Sequence, residues 1–284
     1  MAPRPVDVRH LGRERVICCW LAGEGDIVVD PGPTVSLEPV IEALGDQPPR
    51  AILLTHIHLD HAGGTGALVR RWPEVPVYVH ERGAPHLAEP GRLLESATRL
   101  YGERMGELWG EVVPVPADNI HTLSGGEQVL GFRVAYTPGH ASHHVSYFDA
   151  ESSGWALVGD AAGVRLAPDE YVLAPTPPPD IDLEAWRDSL ATIRAWQPAG
   201  LAITHFGGFT GVDEHLARFE SALGRAGELA RETDAEEYEE RVRAAVAAAT
   251  DPETAAAYDQ AAPFAHLHPG LARYWRKRAE REAA

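Results

Sequence analysis

The sequence predicts an α+β domain with a helical insertion and a C-terminal helical extension, and three observations predict it. Short apolar strand-like runs alternate with amphipathic helical segments up to His80. An apolar stripe at helical spacing then breaks that alternation between 90 and 116, and short strands return after it. Beyond Gly211 the chain is rich in Ala, Glu and Arg and reads as helix throughout. At 284 residues the chain sits near the upper limit for one hydrophobic core, so one principal domain at 1–211 and an appendage at 212–284 are expected.

The elements follow in order. VICCWLAGEGDIVVDPGP reads as two strands, Val16–Leu21 and Asp26–Val29, joined by a Gly-containing hairpin and closed by Pro31-Gly32-Pro33. SLEPVIEALGD is a helix with Ser36 as its N-cap, Leu37, Val40, Ile41 and Leu44 on one face and Gly45 at its end. AILLT and VPVYVH are strands flanking a helix that carries Gly66–Arg71. In the insertion, Leu93, Ala97, Leu100, Tyr101, Met105, Leu108 and Trp109 recur with a helical period. QVLGFRVAYTPG, HVSYFDA and GWALVGD are the returning strands. RLAPDEYVLAPTPPPDI is too proline-rich for a sheet interior and too long for a simple turn. LEAWRDSLATIRAW is a helix with Leu183, Trp186, Leu190 and Ile193 inward, and GLAITH is a last strand. The tail is broken near Thr250-Asp251-Pro252 and again at Pro269-Gly270.

Composition narrows the function classes. The formal charge of −17 repels a phosphate backbone and argues against nucleic acid as partner. No stretch approaches the roughly 18 uncharged apolar residues that a membrane span requires, and MAPRPVDVRHLGRE has no apolar h-region, so no membrane association and a cytoplasmic location are expected. Cys18 and Cys19 are adjacent and the only two, poorly placed to bridge and suited to pack as small apolar side chains.

Residues 52–64 read ILLTHIHLDHAGG, with three histidines and an aspartate within six positions, behind an apolar run and ahead of two glycines. Alternate side chains of an extended segment share a face, so His56 and His58 can project toward one point from places about 7 Å or less apart. A turn into a helix at the glycines brings Asp60 and His61 round to its other side. One segment is thereby equipped to feed two adjacent metals. Such a string is expected in about two in a thousand chains of this composition, which sets it apart from a chance product of the histidine content. Further ligands are available at strand ends, where a rigid sheet offers functional side chains: His140 in AYTPGHASHH, Asp160 in ALVGDAAG and His205 in LAITHFGG. Five histidines and two aspartates without thiolate suit Zn²⁺, Fe or Mn. One metal needs only three or four of them, so two divalent transition metal ions are expected, Zn²⁺ foremost. Asp60 and Asp160 are also the candidates for catalytic roles.

THIHLDHAGG, TPGH, GD and a late TH, in that order, resemble the metallo-β-lactamase fold hydrolases over about residues 6–211, with a closer likeness to the glyoxalase II branch. The resemblance implies an αββα sandwich with metals at one edge between the sheets. It implies His56, His58 and His140 on a first metal, Asp60, His61 and His205 on a second, and Asp160 bridging. Asp30, in VVDPG, matches a family aspartate that supports the ligands from behind, where it would otherwise be a turn former. His144 matches the second histidine of the glyoxalase II pattern, while His143 stands where glycine is usual; neither is counted among the ligands. A hydroxide bridging two cations would attack a carbonyl polarised by one of them, on a small ester, thioester or lactone. Persulfide dioxygenases share the fold and the string yet use one iron on the equivalents of His56, His140 and Asp160, which makes a mononuclear iron dioxygenase the alternative. A non-catalytic metal-binding protein is a third reading.

The segments 90–116, 165–182 and 212–284 are expected to roof the site around a small-molecule substrate, with Met105, Trp109, Tyr171 and Phe206 as wall material. The competing use of their apolar faces is a homodimer contact. The basic run RYWRKR reads as a solvated helix face, or through Arg273, Arg276 and Lys277 as a contact for substrate carboxylates.

Overall fold

The computed structural model describes all residues except Ala167 and Ala284. Two six-stranded sheets form the centre. The first runs β1 (Arg4–Asp7), β2 (Cys18–Ala22), β3 (Ile27–Val29), β4 (Ala51–Leu53), β5 (Val77–His80) and β6 (Ile120–Leu123), antiparallel as far as β3 and parallel from there. The second places β12 (Gly207–Phe209), β11 (Gly200–Ile203), β10 (Trp155–Leu157), β9 (Val145–Phe148), β8 (Phe132–Tyr136) and β7 (Gln128–Val129) in that order, antiparallel except between β10 and β11.

Strand pleating assigns side chains to layers. Cys18, Trp20 and Ala22 of β2 meet Val134, Tyr147 and Leu157 of the other sheet, while Cys19 and Leu21 face outward onto helices. The inner layer is also pinned by polar contacts: Trp20 Nε1 donates to the Ile203 carbonyl at 3.0 Å and the Tyr147 hydroxyl to that of Leu54 at 2.8 Å. Helices α1 (Glu38–Leu44) and α3 (Thr65–Arg71) cover the first sheet through Val40, Leu68 and Val69, and α7 (Leu183–Ala195) covers the second through Trp186, Leu190 and Ile193. The αββα sandwich is thus established, with Cys18 and Cys19 as buried free thiols.

The insertion contributes α4 (Ala84–Ala88), α5 (Gly91–Tyr101) and α6 (Met105–Leu108). The tail forms α8 (Val212–Glu232), α9 (Ala235–Ala249), α10 (Pro252–Ala261) and α11 (Leu267–Glu282). Its first helix joins the main core, where Phe219 lies 5.4 Å from Trp186.

Three local expectations are corrected. Ser36 does not cap α1; it lies in a short 3-10 turn and its hydroxyl meets His10 Nδ1 at 3.0 Å. No break occurs at Pro269-Gly270, because Pro269 falls in the first turn of α11, where the missing N–H has no intrahelical partner to lose. The tail is interrupted at Thr250-Asp251 as expected, and also at Thr233-Asp234 and Ala262-Pro263. Finally, the turn after His58 is helical before the glycines: α2 (Leu59–Ala62) itself carries Asp60 and His61.

Candidate metal centre

All seven candidate ligands converge at one edge of the sandwich. They arrive from the C-terminal ends of strands: His56, His58, Asp60 and His61 after β4, His140 after β8, Asp160 after β10 and His205 after β11. Their nitrogen and oxygen atoms form three groups, each with all atoms within 4.8 Å: His56, His58 and His140; His56, His61 and Asp160; Asp60, His61 and His205. Asp160 spans the arrangement, with Oδ2 3.5 Å from His140 Nε2 and Oδ1 3.3 Å from His61 Nε2 and 3.8 Å from His205 Nε2. Asp60 Oδ2 lies 3.2 Å from His205 Nε2.

The rings are held from behind, and these tethers decide which nitrogen faces the centre. His61 Nδ1 donates to Asp30 Oδ2 at 2.8 Å, His140 Nδ1 to the Pro175 carbonyl at 2.9 Å and His205 Nδ1 to the Val16 carbonyl at 2.7 Å. His56 Nδ1 lies 3.1 Å from the Thr55 hydroxyl, which itself donates to Asp30 at 2.6 Å and so accepts from the ring. Each of these four imidazoles therefore turns Nε2 inward, the nitrogen that would be offered to a metal. His58 is the exception, facing the others through Nδ1 at 3.1 Å from His56 Nε2 and 2.9 Å from His140 Nε2.

Electrostatics divides the cluster in two. Burial, reinforced by the neighbouring histidines, holds His56 well below the usual imidazole value and His58 down to about 4. Burial also lowers His140, against the pull of Asp160. On the other side burial is outweighed: Asp160 and Asp60 raise His61 and His205, and those rings hold both carboxylates well below their ordinary range. The buried Asp160 and the half-buried Asp60 thus call for positive charge beside three imidazoles that resist protonation. His61 Nε2 and Asp160 Oδ1 are moreover buried without a hydrogen-bond partner among the described residues. Convergent nitrogen and oxygen donors, carboxylates that draw positive charge and orphaned polar atoms together fit divalent cations.

His143 and His144 stand outside this set. His144 is buried, its Nδ1 on the Thr137 hydroxyl at 2.9 Å and its Nε2 accepting the Asp160 backbone N–H at 3.4 Å, so it positions the turn that carries Asp160. The close packing of that region is visible at Gly139, where φ is +138° and a Cβ would collide with Trp186. His143 lines a cavity of about 360 Å³ that opens over His58, His140 and Asp160. A second cavity of about 770 Å³ reaches Asp60 and His205 from the other side. Asp60, Tyr101, Trp109 and His266 border both.

Walls come from the insertion and the tail in both cavities, and from the proline-rich loop in the smaller one. Trp109 is wall material as expected. Met105 instead packs within the insertion, Tyr171 against Tyr258 and Phe206 between the two core layers. Of the two readings of the basic run, the structure fits the solvated helix face: Arg276 and Lys277 are exposed, Arg273 donates to the Pro179 carbonyl, Arg278 pairs with Glu184, and Arg273, Arg276 and Lys277 border neither cavity. Arg82 and Arg92, which no motif marked, border the smaller one.

The sequence model of the metallo-beta-lactamase superfamily matches residues 14–205. The chain belongs to this superfamily. A hydroxyacylglutathione hydrolase of Xylella fastidiosa (strain M12) is 36% identical over 122 residues, covering 43% of this chain and 36% of that protein. The chain therefore spans little more than a third of the length of this relative. The metallo-beta-lactamase fold-containing protein ST1585 of Sulfurisphaera tokodaii is 31% identical over 175 residues, 58% of this chain and 64% of the relative. Among solved structures, TTHA1429 from Thermus thermophilus matches with a TM-score of 0.63 at 23% identity over 98% of this chain and 93% of its own, a likeness of fold that extends to the helical tail. TTHA1623, solved in a di-iron-bound form, matches with a TM-score of 0.52 at 28% identity over 71% of this chain and 91% of its own. In this superfamily a His/Asp cluster of this kind marks a divalent-metal site.

Proposed function

We propose that the protein hydrolyses a small ester, thioester or lactone at a binuclear centre, with His56, His58 and His140 at one metal, Asp60, His61 and His205 at the other and Asp160 between them. The observation that supports this most directly is the position of Asp160, whose two oxygens face different histidine groups. Two divalent cations, Zn²⁺ foremost, supply when bound a water-derived nucleophile at neutral pH and polarise the scissile carbonyl. The chain's own residues do the rest. Asp30 and the backbone carbonyls of Val16 and Pro175 fix the rings, so little reorganisation is needed during turnover. Asp60 is the centre's carboxylate that borders both cavities, and its side chain keeps 21% of its exposure. Its Oδ2 faces His205 while Oδ1 makes no hydrogen bond among the described residues, which suits that oxygen to accept a hydrogen bond from the attacking water and orient it. The two cavities give the acyl and leaving limbs separate space on either side of Asp60. The segment 212–284 serves on this reading as a lid and not as a separate catalytic unit.

The tethering of His61 and His205 favours two metals over one. A single iron on His56, His140 and Asp160 would leave both rings buried, oriented and without a task. Metal analysis with a turnover panel tests the proposal. Two metals per chain and hydrolysis of one of the three bond classes are expected, with His58→Ala and Asp160→Asn losing activity while far-UV circular dichroism is preserved. One iron with oxygen uptake on a persulfide, or near-wild-type turnover by either variant with its metals in place, overturns it.

A further inference from the structure

We infer that the limb of the substrate held in the smaller cavity ends in a carboxylate, recognised by Arg82 and Arg92. The inference rests on the hydrolase reading for its kinetic test but not for its binding test.

Arg82 and Arg92 are exposed residues that border the cavity opening over His58 and His140. Neither lies within ion-pair distance of a carboxylate among the described residues, in a chain of formal net charge −17 where acidic partners are abundant. Arg82 is oriented: its Nη1 donates to the Tyr136 hydroxyl at 3.0 Å and its guanidinium lies 5.6 Å from the centre of that ring. Arg92, in the first turn of α5, makes no hydrogen bond among the described residues and keeps its donors free. Arginine presents paired donors that match a carboxylate, and charge-assisted bonds of this kind are about twice as strong as neutral ones.

The rest of the cavity is suited to an apolar chain leading to that charge. Leu93, Ala97, Leu100 and the prolines 177–179 supply its walls. Asp180 also borders the cavity, with its Oδ2 on the Ser142 hydroxyl at 2.5 Å. That negative charge opposes a dianion more than a monoanion, which selects a carboxylate over a phosphate.

Two measurements on the zinc-loaded protein decide this. In the first, the 4-nitrophenyl monoesters of glutaric, adipic and suberic acid are compared with 4-nitrophenyl esters of uncharged acids of equal length. We expect kcat/KM at least about tenfold higher for the charged member of the best pair, and loss of that advantage in Arg82→Gln and Arg92→Gln with turnover of the neutral ester kept. Arg92→Lys should restore part of it, since the charge returns without the fork. In the second, calorimetry compares adipic acid monoamide with hexanamide, which needs no turnover. Tighter binding of the monoamide, abolished by Arg92→Gln, supports carboxylate recognition even if no ester is cleaved, a result that would sink only the hydrolase reading. Equal binding of the two amides, or a charge preference untouched in both arginine variants, overturns the inference.

Discussion

Replacing Asp30 by asparagine separates the positioning of the metal ligands from their chemistry. Asp30 is fully buried and accepts four hydrogen bonds: the Thr55 N–H at 2.8 Å on Oδ1, and the Thr55 hydroxyl at 2.6 Å, His61 Nδ1 at 2.8 Å and the Thr204 hydroxyl at 3.1 Å on Oδ2. Its φ of +50° is a conformation that asparagine adopts readily, so the backbone is not perturbed. Asparagine keeps one acceptor oxygen and puts an NH₂ where the other stood. If its oxygen keeps the Thr55 N–H, its NH₂ faces three donors. The two hydroxyls can rotate, but His61 must become an acceptor at Nδ1 and move its proton to Nε2, the atom that faces Asp160 and Asp60. The lone pair assigned to the metal is then gone.

Losses of this kind cost about 10–100-fold in metal affinity, and any buried donor left unpaired costs about 1–3 kcal/mol of stability. Chelator competition should therefore show one weakened zinc position out of two in Asp30→Asn. Thermal melts should show a deficit that excess zinc partly restores, because binding to the folded state alone stabilises it. Unchanged zinc affinity at both positions would refute the argument that Asp30 sets the His61 tautomer.

Two further outcomes are expected. Gly270 packs so closely on the Thr176 carbonyl and Pro177 that an alanine Cβ would force α11 away from the proline-rich loop. Gly270→Ala should cost about 1–3 kcal/mol and loosen zinc at His140, whose Nδ1 is held by the neighbouring Pro175 carbonyl; an unaltered melting temperature and zinc content would count against this. Burial lowers His215 to about 4, while the unfolded chain takes up that proton near 6.5. The unfolded state then binds more protons between those values, so stability falls as pH falls through that window, by up to about 3 kcal/mol from this residue. His215→Gln, which keeps a donor for the Ala162 carbonyl, should flatten that part of the acid loss in urea titrations at pH 7 and 4.5; parallel losses in both proteins would contradict the assignment.

What could be read from the sequence was what is local. The ligand string is legible because the end of one strand and the turn after it place four donors by covalent geometry alone, and the inward face of α7 because its period is fixed by the helix. The strands without a sequence signature are sheet edges: β1 is RPVD with one buried side chain, β6 is IHTL with two exposed ones, and β12 is GGF. An edge strand lacks a neighbour on one side and often a buried face, so its residues carry little alternation. Pro269-Gly270 misled for the opposite reason, since the meaning of both residues there is set by a first-turn position and by a loop far away in the chain. Arg82 and Arg92 left no signal because only the folded chain brings β5, α5 and the proline-rich loop to one cavity. Tyr171 and Phe206 were misplaced on the same account: apolar side chains near a site in sequence turned instead into cores that sequence distance does not reveal.

The tethers also decide how far substrate choice can vary independently of metal binding. Val16 leads into β2 of the first sheet, yet its carbonyl orients His205 from the second, so this pair spans the sandwich. Asp30 does the same, holding Thr55 and His61 on one side and Thr204 on the other. Metal bound at these rings would cross-link the two sheets, and its affinity would appear as folding stability. The roof is coupled more tightly still. Pro175 holds His140, the next residue Thr176 donates its hydroxyl to the Leu267 carbonyl at 3.0 Å, and the Tyr258 hydroxyl joins α10 to the loop at both Leu166 and Tyr171. Removing 212–284 would take away the far end of the Thr176 and Tyr258 contacts and strip Phe219 from Trp186, which itself packs 5.6 Å from His140. The tail therefore reaches the ligand shell through the loop, and a change in the tail large enough to reshape the cavity would be felt at His140 before any substrate arrives.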